Sequence, residues 1–184
     1  RKNLSNRLRN LATNKMWGHI ARINHTINIS VNNYFSEIGA LFTILPLTTR
    51  MISSPGALYG KESINYTTDT NPITLKWFDL PNEAFLSESS QIYLELALLQ
   101  SNVNQVYSIY NSFRKEKADP THLSEFHHIE YEGKITQDRN KEIVNELTSQ
   151  IINGLLLNNE ESLYYFLDNE RLKNLEDLSK RKNF

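Results

Sequence analysis

The residues with the clearest chemical potential lie between Phe113 and Glu132, in the sequence FRKEKADPTHLSEFHHIEYE. Arg114 and Glu116 are two positions apart, so on a strand their side chains share a face. An arginine offers a bidentate cation that suits a phosphate, and a carboxylate offers an acceptor for an exocyclic amine. Phe126 provides an aromatic surface on which a purine could stack. These residues fit a nucleotide-binding platform, and they also fit an exposed, salt-bridged hairpin with one core phenylalanine.

Two strands must position this stretch. Apolar and polar side chains alternate in residues 105–113, which predicts a strand, and again in residues 127–132 after a polar loop. The second strand places His128, Glu130 and Glu132 on one side. Its two histidines are adjacent and therefore point to opposite faces, so they do not chelate one ion together. The sequence predicts no metal site here.

The rest of the chain predicts helices and short strands around this pair. Apolar residues at three- and four-residue steps predict a long helix at 20–38, which ends near Gly39. Ser87 is expected to cap a second helix that runs to about Gln100, and a third helix begins near Asp138. The predicted short strands are Leu41–Leu45, 73–79 and Ala84–Ser87. Because loops rather than regular crossover helices join the strands, the predicted fold class is α+β, an antiparallel sheet flanked by helices.

Composition excludes several kinds of site. The chain has 184 residues, 39% of them hydrophobic, a net charge of −1 and no cysteine. Without cysteine it has no disulfide framework, thiolate metal site or cysteine nucleophile. The longest strongly apolar run, Leu96–Leu99, is too short to span a bilayer, so we expect no membrane contact and a cytoplasmic or organellar location. Residues 1–36 carry several cationic side chains, and the first acidic residue of the chain is Glu37. This charge pattern fits either an arm that binds phosphates or a solvated segment.

The stretch from Phe113 to Glu132 resembles motif 2 of the class II aminoacyl-tRNA synthetases, in the form typical of the aspartyl, asparaginyl and lysyl branch. The positions that fall on that pattern are Phe113, Arg114, Glu116, His122, Leu123, Glu125, Phe126, Glu130 and Glu132. Residues 20–47 resemble motif 1, a helix and strand ending at a proline, and residues 84–100 resemble the amino-acid-binding segment. The three matches occur in the family's order.

The resemblance implies a partial class II catalytic domain across residues 1–184. Its implied parts are motif 1 at about 20–47, the amino-acid-binding segment at 84–100, motif 2 at about 106–132 and a helical excursion at 138–184. Motif 3 and the anticodon-binding domain are expected to be absent from this chain. The family pattern also implies a homodimer, formed through the helix at 20–38 and the strand after it.

The resemblance also implies roles in binding ATP. Arg114 is expected to hold the α-phosphate of ATP and the carboxylate of the amino acid. Glu116 would receive the adenine amine, and Phe126 would stack on the adenine ring. His122 would approach the outer phosphates. The family uses Mg²⁺, whose ligands are expected outside this chain.

Within the branch, residues 84–100 resemble the asparaginyl form. Ser89 and Gln91 would help to fix the amino acid. Aspartyl enzymes have a lysine where this chain has Leu94, and the next residue, Glu95, would repel aspartate but accept a hydrogen bond from an asparagine amide. The implied function is ATP-dependent activation of asparagine to an aminoacyl-adenylate, followed by transfer to tRNA.

Two departures from the family pattern support alternatives. The family usually has arginine where this chain has Thr121, and it often has Glu-Gly-Ala where this chain has Pro55-Gly56-Ala57. Together with the missing motif 3, these departures fit a non-catalytic dimerisation or interaction module. A tRNA-independent relative that makes asparagine from aspartate is the other alternative, and Glu95 argues against it.

Overall fold

The structure is a computed structural model that describes residues 4–49, 73–76, 84–114, 119 and 121–180. It divides into two compact units. One unit joins Arg1–Ile38 to Ile135–Phe184, and the other is Gly39–Lys134. We call them the helical unit and the sheet unit.

The described elements include the predicted helices and strands in the predicted order, and they add a helix at Leu4–Thr13 and a short strand at Thr48–Thr49 that were not predicted. The helices are α1 (Leu4–Thr13), α2 (Lys15–Glu37), α3 (Gln91–Ala97), α4 (Gln137–Asn158), α5 (Glu160–Phe166) and α6 (Asn169–Ser179). The strands are β1 (Leu41–Phe42), β2 (Thr48–Thr49), β3 (Thr74–Leu75), β4 (Ala84–Leu86), β5 (Gln105–Phe113) and β6 (Glu125–Gly133). The predicted α+β class is confirmed. Within the described ranges, none of the helices is long and apolar enough to cross a membrane.

The helical unit is organised by α2, which confirms the helix predicted at 20–38. It begins earlier, at Lys15, because the Asn14 side chain caps it by accepting a hydrogen bond from the Met16 backbone N–H. Its buried residues are His19, Thr26, Val31, Tyr34 and Phe35. α2 packs against α4, where the Tyr34 hydroxyl donates a hydrogen bond of 2.6 Å to the Glu146 carboxylate. The polar segment after α4 is helical, as predicted.

Helices α2 and α4 approach each other closely at Gly154. A Cβ atom added there would overlap the Ser30 hydroxyl. The same Cβ would lie 3.6 Å from the Ser30 Cβ and 3.5 Å from the Thr26 methyl carbon, which are ordinary van der Waals distances. The Ser30 hydroxyl is therefore the one group near Gly154 that would have to move to admit an alanine.

We expect Gly154→Ala to destabilise the chain by about 1 kcal/mol, because the Ser30 hydroxyl must leave its position. In a Ser30→Ala background the same change should stabilise it by about 0.5–1 kcal/mol, since alanine is favoured over glycine inside a helix. Urea unfolding of the wild type, both single variants and the double variant measures this coupling. Equal effects of Gly154→Ala in both backgrounds would contradict the close approach.

The sheet unit contains two small sheets. One has the strand order β1-β5-β6, and the other has the order β2-β4-β3. All pairs are antiparallel except β1 with β5, where Leu41 lies beside Val106 and Phe42 beside Tyr107 in a parallel register. This pair corrects the expectation of a wholly antiparallel sheet. The long connection between β1 and β5 allows the chain to return and run in the same direction.

α3 packs against the first sheet through a small apolar core. Leu94 and Ala97 of α3 pack with Val106 of β5, and Leu45, Leu98 and Val103 surround them. The helix begins at Gln91, and its N-cap is Ser90 rather than the predicted Ser87. The reason is local: the Ser87 hydroxyl donates to the Ser89 carbonyl and lies 2.9 Å from the Ser90 hydroxyl, which holds these residues in a turn.

Candidate active site

The candidate site lies on one side of the β5–β6 pair. The register places Ser108 opposite Glu130, Tyr110 opposite His128, and Ser112 opposite Phe126. Successive strand residues alternate between faces, so these six side chains share one side, together with Glu132. We call this side the site face. The predicted grouping of His128, Glu130 and Glu132 is confirmed.

Arg114 and Phe126 meet at one end of the site face. The guanidinium carbon of Arg114 lies 5.6 Å from the centre of the Phe126 ring, within the range of a cation–π contact. The register continues past β5, because the Arg114 backbone N–H donates to the Ser124 carbonyl at 2.9 Å. The other neighbour of Phe126 is the His128 ring, whose centroid is 4.9 Å away in an edge contact. A cation and an aromatic ring therefore stand together, as the nucleotide-platform hypothesis requires.

The loop between β5 and β6 carries His122. Asp119 organises this turn: its Oδ1 atom accepts the backbone N–H groups of Thr121 and His122 at 2.7 and 2.8 Å. These hydrogen bonds, led by the Thr121 N–H, lower the pKa of Asp119 to about 2. The Asp119 carboxylate also lies 3.0 Å from the His122 Nδ1 atom. His122 is thus exposed but held beside an acid. Glu116, the expected partner of the adenine amine, lies outside the described residues.

The amino-acid-binding segment places polar groups at the start of α3. The Ser89 hydroxyl accepts the Gln91 backbone N–H at 3.2 Å, and the Gln91 side-chain amide donates to Glu95 at 3.2 Å. Burial raises the pKa of Glu132, and the charges of Glu95 and Glu130 raise it further, while a hydrogen bond from Gln91 opposes the shift. The structure therefore brings Gln91 and Glu95 together with an acidic part of the site face.

Leu94 does not belong to this polar group. Its side chain is fully buried in the apolar core with Ala97 and Val106. Leu94, which stands where aspartyl enzymes have a lysine, and Glu95 leave α3 in different directions because successive helix residues point about 100° apart. Of the pair, Glu95 alone lies with the acids.

Sequence reasoning missed the role of Tyr110. Its hydroxyl accepts the Ser90 backbone N–H at 3.0 Å, donates to the Glu130 carboxylate and lies 3.3 Å from the His128 Nδ1 atom. Burial, and secondarily the hydrogen bond to Glu130, raise the pKa of this phenol. His128 is a second polar neighbour, 2.8 Å from the Ser112 hydroxyl, and burial lowers its pKa. The signal available from sequence was weak: an aromatic residue in register with a histidine on a predicted strand pair.

The described residues offer no group of three or more histidine, aspartate or glutamate side chains arranged to hold a metal ion.

Comparison with known proteins identifies the class. The family described as tRNA synthetases class II (D, K and N) matches residues 1–181, and the chain belongs to this family. A probable cytoplasmic asparagine–tRNA ligase of Schizosaccharomyces pombe is 43% identical over 76 residues, 40% of this chain and 13% of the relative. An asparagine–tRNA ligase of Xylella fastidiosa is 29% identical over 123 residues, 64% of this chain and 26% of the relative.

A solved structure agrees with these relatives. Asparaginyl-tRNA synthetase from Pyrococcus horikoshii, complexed with asparaginyl-adenylate, superimposes with a TM-score of 0.76 and 25% identity. The match covers 93% of this chain and 35% of that protein. The chain is thus a class II catalytic core close to the asparaginyl enzymes, and it spans about a third or less of the length of the proteins it matches.

The electrostatic coupling at Glu132 predicts a pH-dependent gain in stability for Glu132→Gln. A raised pKa means that the ionised carboxylate is disfavoured in the folded state, so the cost is present at neutral pH and vanishes as the pH falls below the ordinary glutamate value. We expect the variant to be more stable at pH 7 by up to about 1 kcal/mol, after allowance for solvent screening. Near pH 4 the difference should shrink towards zero.

Chemical denaturation at the two pH values measures this difference. The matched control is Glu125→Gln, on the opposite side of β6, where the glutamate accepts a hydrogen bond from Asn111 that glutamine can also accept. The control should change stability little at either pH. If Glu132→Gln were less stable than the wild type at pH 7, the ionised Glu132 carboxylate would stabilise the fold, which contradicts this prediction.

Proposed function

We propose that the protein containing this chain is an asparaginyl-tRNA synthetase-like ligase. It would activate asparagine with ATP to form asparaginyl-adenylate and then transfer the amino acid to tRNA. The observation that carries the proposal is the division of one sheet face into two ends: Arg114 over the Phe126 ring at one end, and the Gln91, Glu95 and Glu132 group at the other. The relatives named asparagine–tRNA ligases support the same assignment.

The cationic end suits the nucleotide. Arg114 would hold the α-phosphate and the substrate carboxylate as the carboxylate oxygen attacks the α-phosphorus and pyrophosphate leaves. This reaction needs charge neutralisation and alignment rather than a protein nucleophile. Phe126, already beside the guanidinium, would provide the surface for adenine, and His122 would lie towards the outer phosphates. Glu116 would receive the adenine amine.

The acidic end suits an amide side chain. The charges of Glu95 and Glu130 both raise the pKa of Glu132, so a further carboxylate brought beside Glu132 would be repelled. The asparagine amide carries no charge and donates two N–H groups, which carboxylates accept. Ser89 and Gln91 would orient the amino acid from the start of α3. The same acids disfavour the alternative of an aspartate-dependent, tRNA-independent asparagine-forming relative.

The proposal also covers a homodimer, a metal ion and a location in the cell. We place a homodimer contact on α2 and the β1 segment, where Leu41, Phe42, Ile44 and Leu47 are exposed although apolar. Mg²⁺ would accompany ATP and neutralise phosphate charge when bound, with ligands outside the described residues. The cytoplasmic relative in fission yeast supports a cytoplasmic location.

Two observations favour a second candidate, a synthetase-like module without catalysis. The Asp119 carboxylate lies 3.0 Å from His122, and Thr121 stands where the family usually has arginine. Both features reduce positive charge where the outer phosphates would lie. This candidate predicts that ATP supports no pyrophosphate exchange with either amino acid.

Arg114 gives the direct test. In the full-length natural protein, Arg114→Ala should reduce asparagine-dependent ATP–pyrophosphate exchange by 10²-fold or more, because a phosphate contact that strengthens in the transition state is lost. Arg114→Lys should recover only part of the rate, since lysine lacks the bidentate geometry. Lys134→Ala is the matched control, a cation at the far end of β6 bonded to the Val103 carbonyl. Exchange that is unchanged in Arg114→Ala would refute the assignment.

Substrate preference gives a separate test. The wild type should activate asparagine in preference to aspartate, and Glu95→Gln should narrow that preference by about tenfold, because it removes one of the charges that repel aspartate. Amino-acid-dependent pyrophosphate exchange with both substrates measures the ratio. Glu142→Gln, an exposed carboxylate on α4, is the control. Equal activation of both amino acids by the wild type would show that Glu95 does not face the side chain.

A further inference from the structure

The Tyr110 hydroxyl joins three separate pieces of the sheet unit. It accepts the backbone N–H of Ser90, which immediately precedes α3, and it donates to Glu130 on β6, while its own ring stands on β5. The His128 Nδ1 atom lies 3.3 Å away and is 2.8 Å from the Ser112 hydroxyl. One oxygen atom therefore connects the turn before α3 to both β5 and β6.

Because Tyr110 and its partner Ser90 are buried, water cannot easily take the place of the hydroxyl oxygen. Tyr110 is 9% exposed and Ser90 is fully buried, so water has little access to the Ser90 N–H. A buried donor that loses its acceptor is costly, and so is a carboxylate that loses its donor. With phenylalanine at this position, we expect the Ser90 turn and the Glu130 side chain to move towards solvent.

The groups that would move are those expected to hold the amino acid. The turn carries Ser89, whose hydroxyl accepts the Gln91 N–H, and Gln91 is bonded to Glu95. By contrast, Arg114 and Phe126 contact each other farther along the site face, and the described link from the Tyr110 hydroxyl to Phe126 runs through the His128 ring, 3.3 Å from the hydroxyl and in edge contact with Phe126. The hydroxyl is thus bonded directly to the turn and Glu130 at the amino-acid end, and its link to the nucleotide end is indirect.

We propose that Tyr110 is a positioning residue for the amino-acid pocket: its hydroxyl holds the Ser89–Gln91 turn and Glu130 in the geometry that receives the asparagine side chain. This inference rests on the proposed function and deepens it. It distinguishes amino-acid binding from nucleotide binding, because the hydrogen bonds of the hydroxyl support the first directly, whereas its link to the second runs through the His128 ring.

The experiment compares the wild type with Tyr110→Phe in the full-length natural protein, by pyrophosphate exchange. We expect the KM for asparagine to rise about five- to twentyfold, the loss that follows removal of a hydrogen bond to a charged group. The KM for ATP should change less than twofold. The matched control is Tyr131→Phe, which removes a hydroxyl bonded to Gln105 on the opposite side of the same strand pair and should leave both KM values unchanged.

A second measurement does not depend on activity. Amide hydrogen exchange at Ser90 should accelerate at least tenfold in Tyr110→Phe, with no such change in Tyr131→Phe. An unchanged exchange rate at Ser90, or an unchanged KM for asparagine, would overturn the inference. So would equal rises in the KM values for asparagine and ATP, which indicate general loosening. If the wild type shows no asparagine-dependent exchange, the proposed function fails and the inference falls with it; an active wild type with an unaffected Tyr110→Phe variant overturns the inference alone.

Discussion

Nine residue pairs join β5 to β6, from Gln105 beside Gly133 to Phe113 beside Glu125, and this antiparallel register is the constraint on which the candidate site depends. A shift of β6 by one residue would turn His128, Glu130 and Glu132 to the opposite side of the sheet, away from Ser112 and Tyr110. Burial fixes the register, since Val106 belongs to the core under α3 and Ser108 and Ser112 are fully buried. The same alternation then carries Arg114 and Phe126 into contact.

The register also separates opposite charges along one surface. The guanidinium of Arg114 stands beyond one end of β5, and towards the other end lies the Glu132 carboxylate, whose pKa is raised by the charges of Glu95 and Glu130. Between them lie neutral polar groups, including the Ser112 hydroxyl and the His128 ring, which are bonded to each other. A surface of this kind orients a bound molecule that is anionic at one end and a neutral donor at the other, before any reaction takes place.

Much of this architecture was predictable because it is local. The bounds of β5 follow from the alternation of apolar and polar side chains, and α2 follows from apolar residues spaced at the period of a helix. The parallel pairing of β1 with β5 was not predictable, because a strand of two residues has too short a sequence pattern to indicate which strand it pairs with. The burial of Leu94 and the bonds of the Tyr110 hydroxyl depend on how α3 rests against the sheet. Such contacts join residues that sequence patterns treat separately.

The division of the chain into units has a consequence for folding during synthesis. The sheet unit is a continuous segment, whereas α2 finds its partner α4 only after the whole sheet unit has been translated. The bond between Tyr34 and Glu146 spans 112 positions of sequence, so it closes a long loop at an entropic cost. As the chain leaves the ribosome, the sheet unit can therefore fold first, and its completion shortens the effective distance between the two helices. Until then the apolar side of α2, with Val31 and Phe35, remains exposed to chaperones and to other nascent chains.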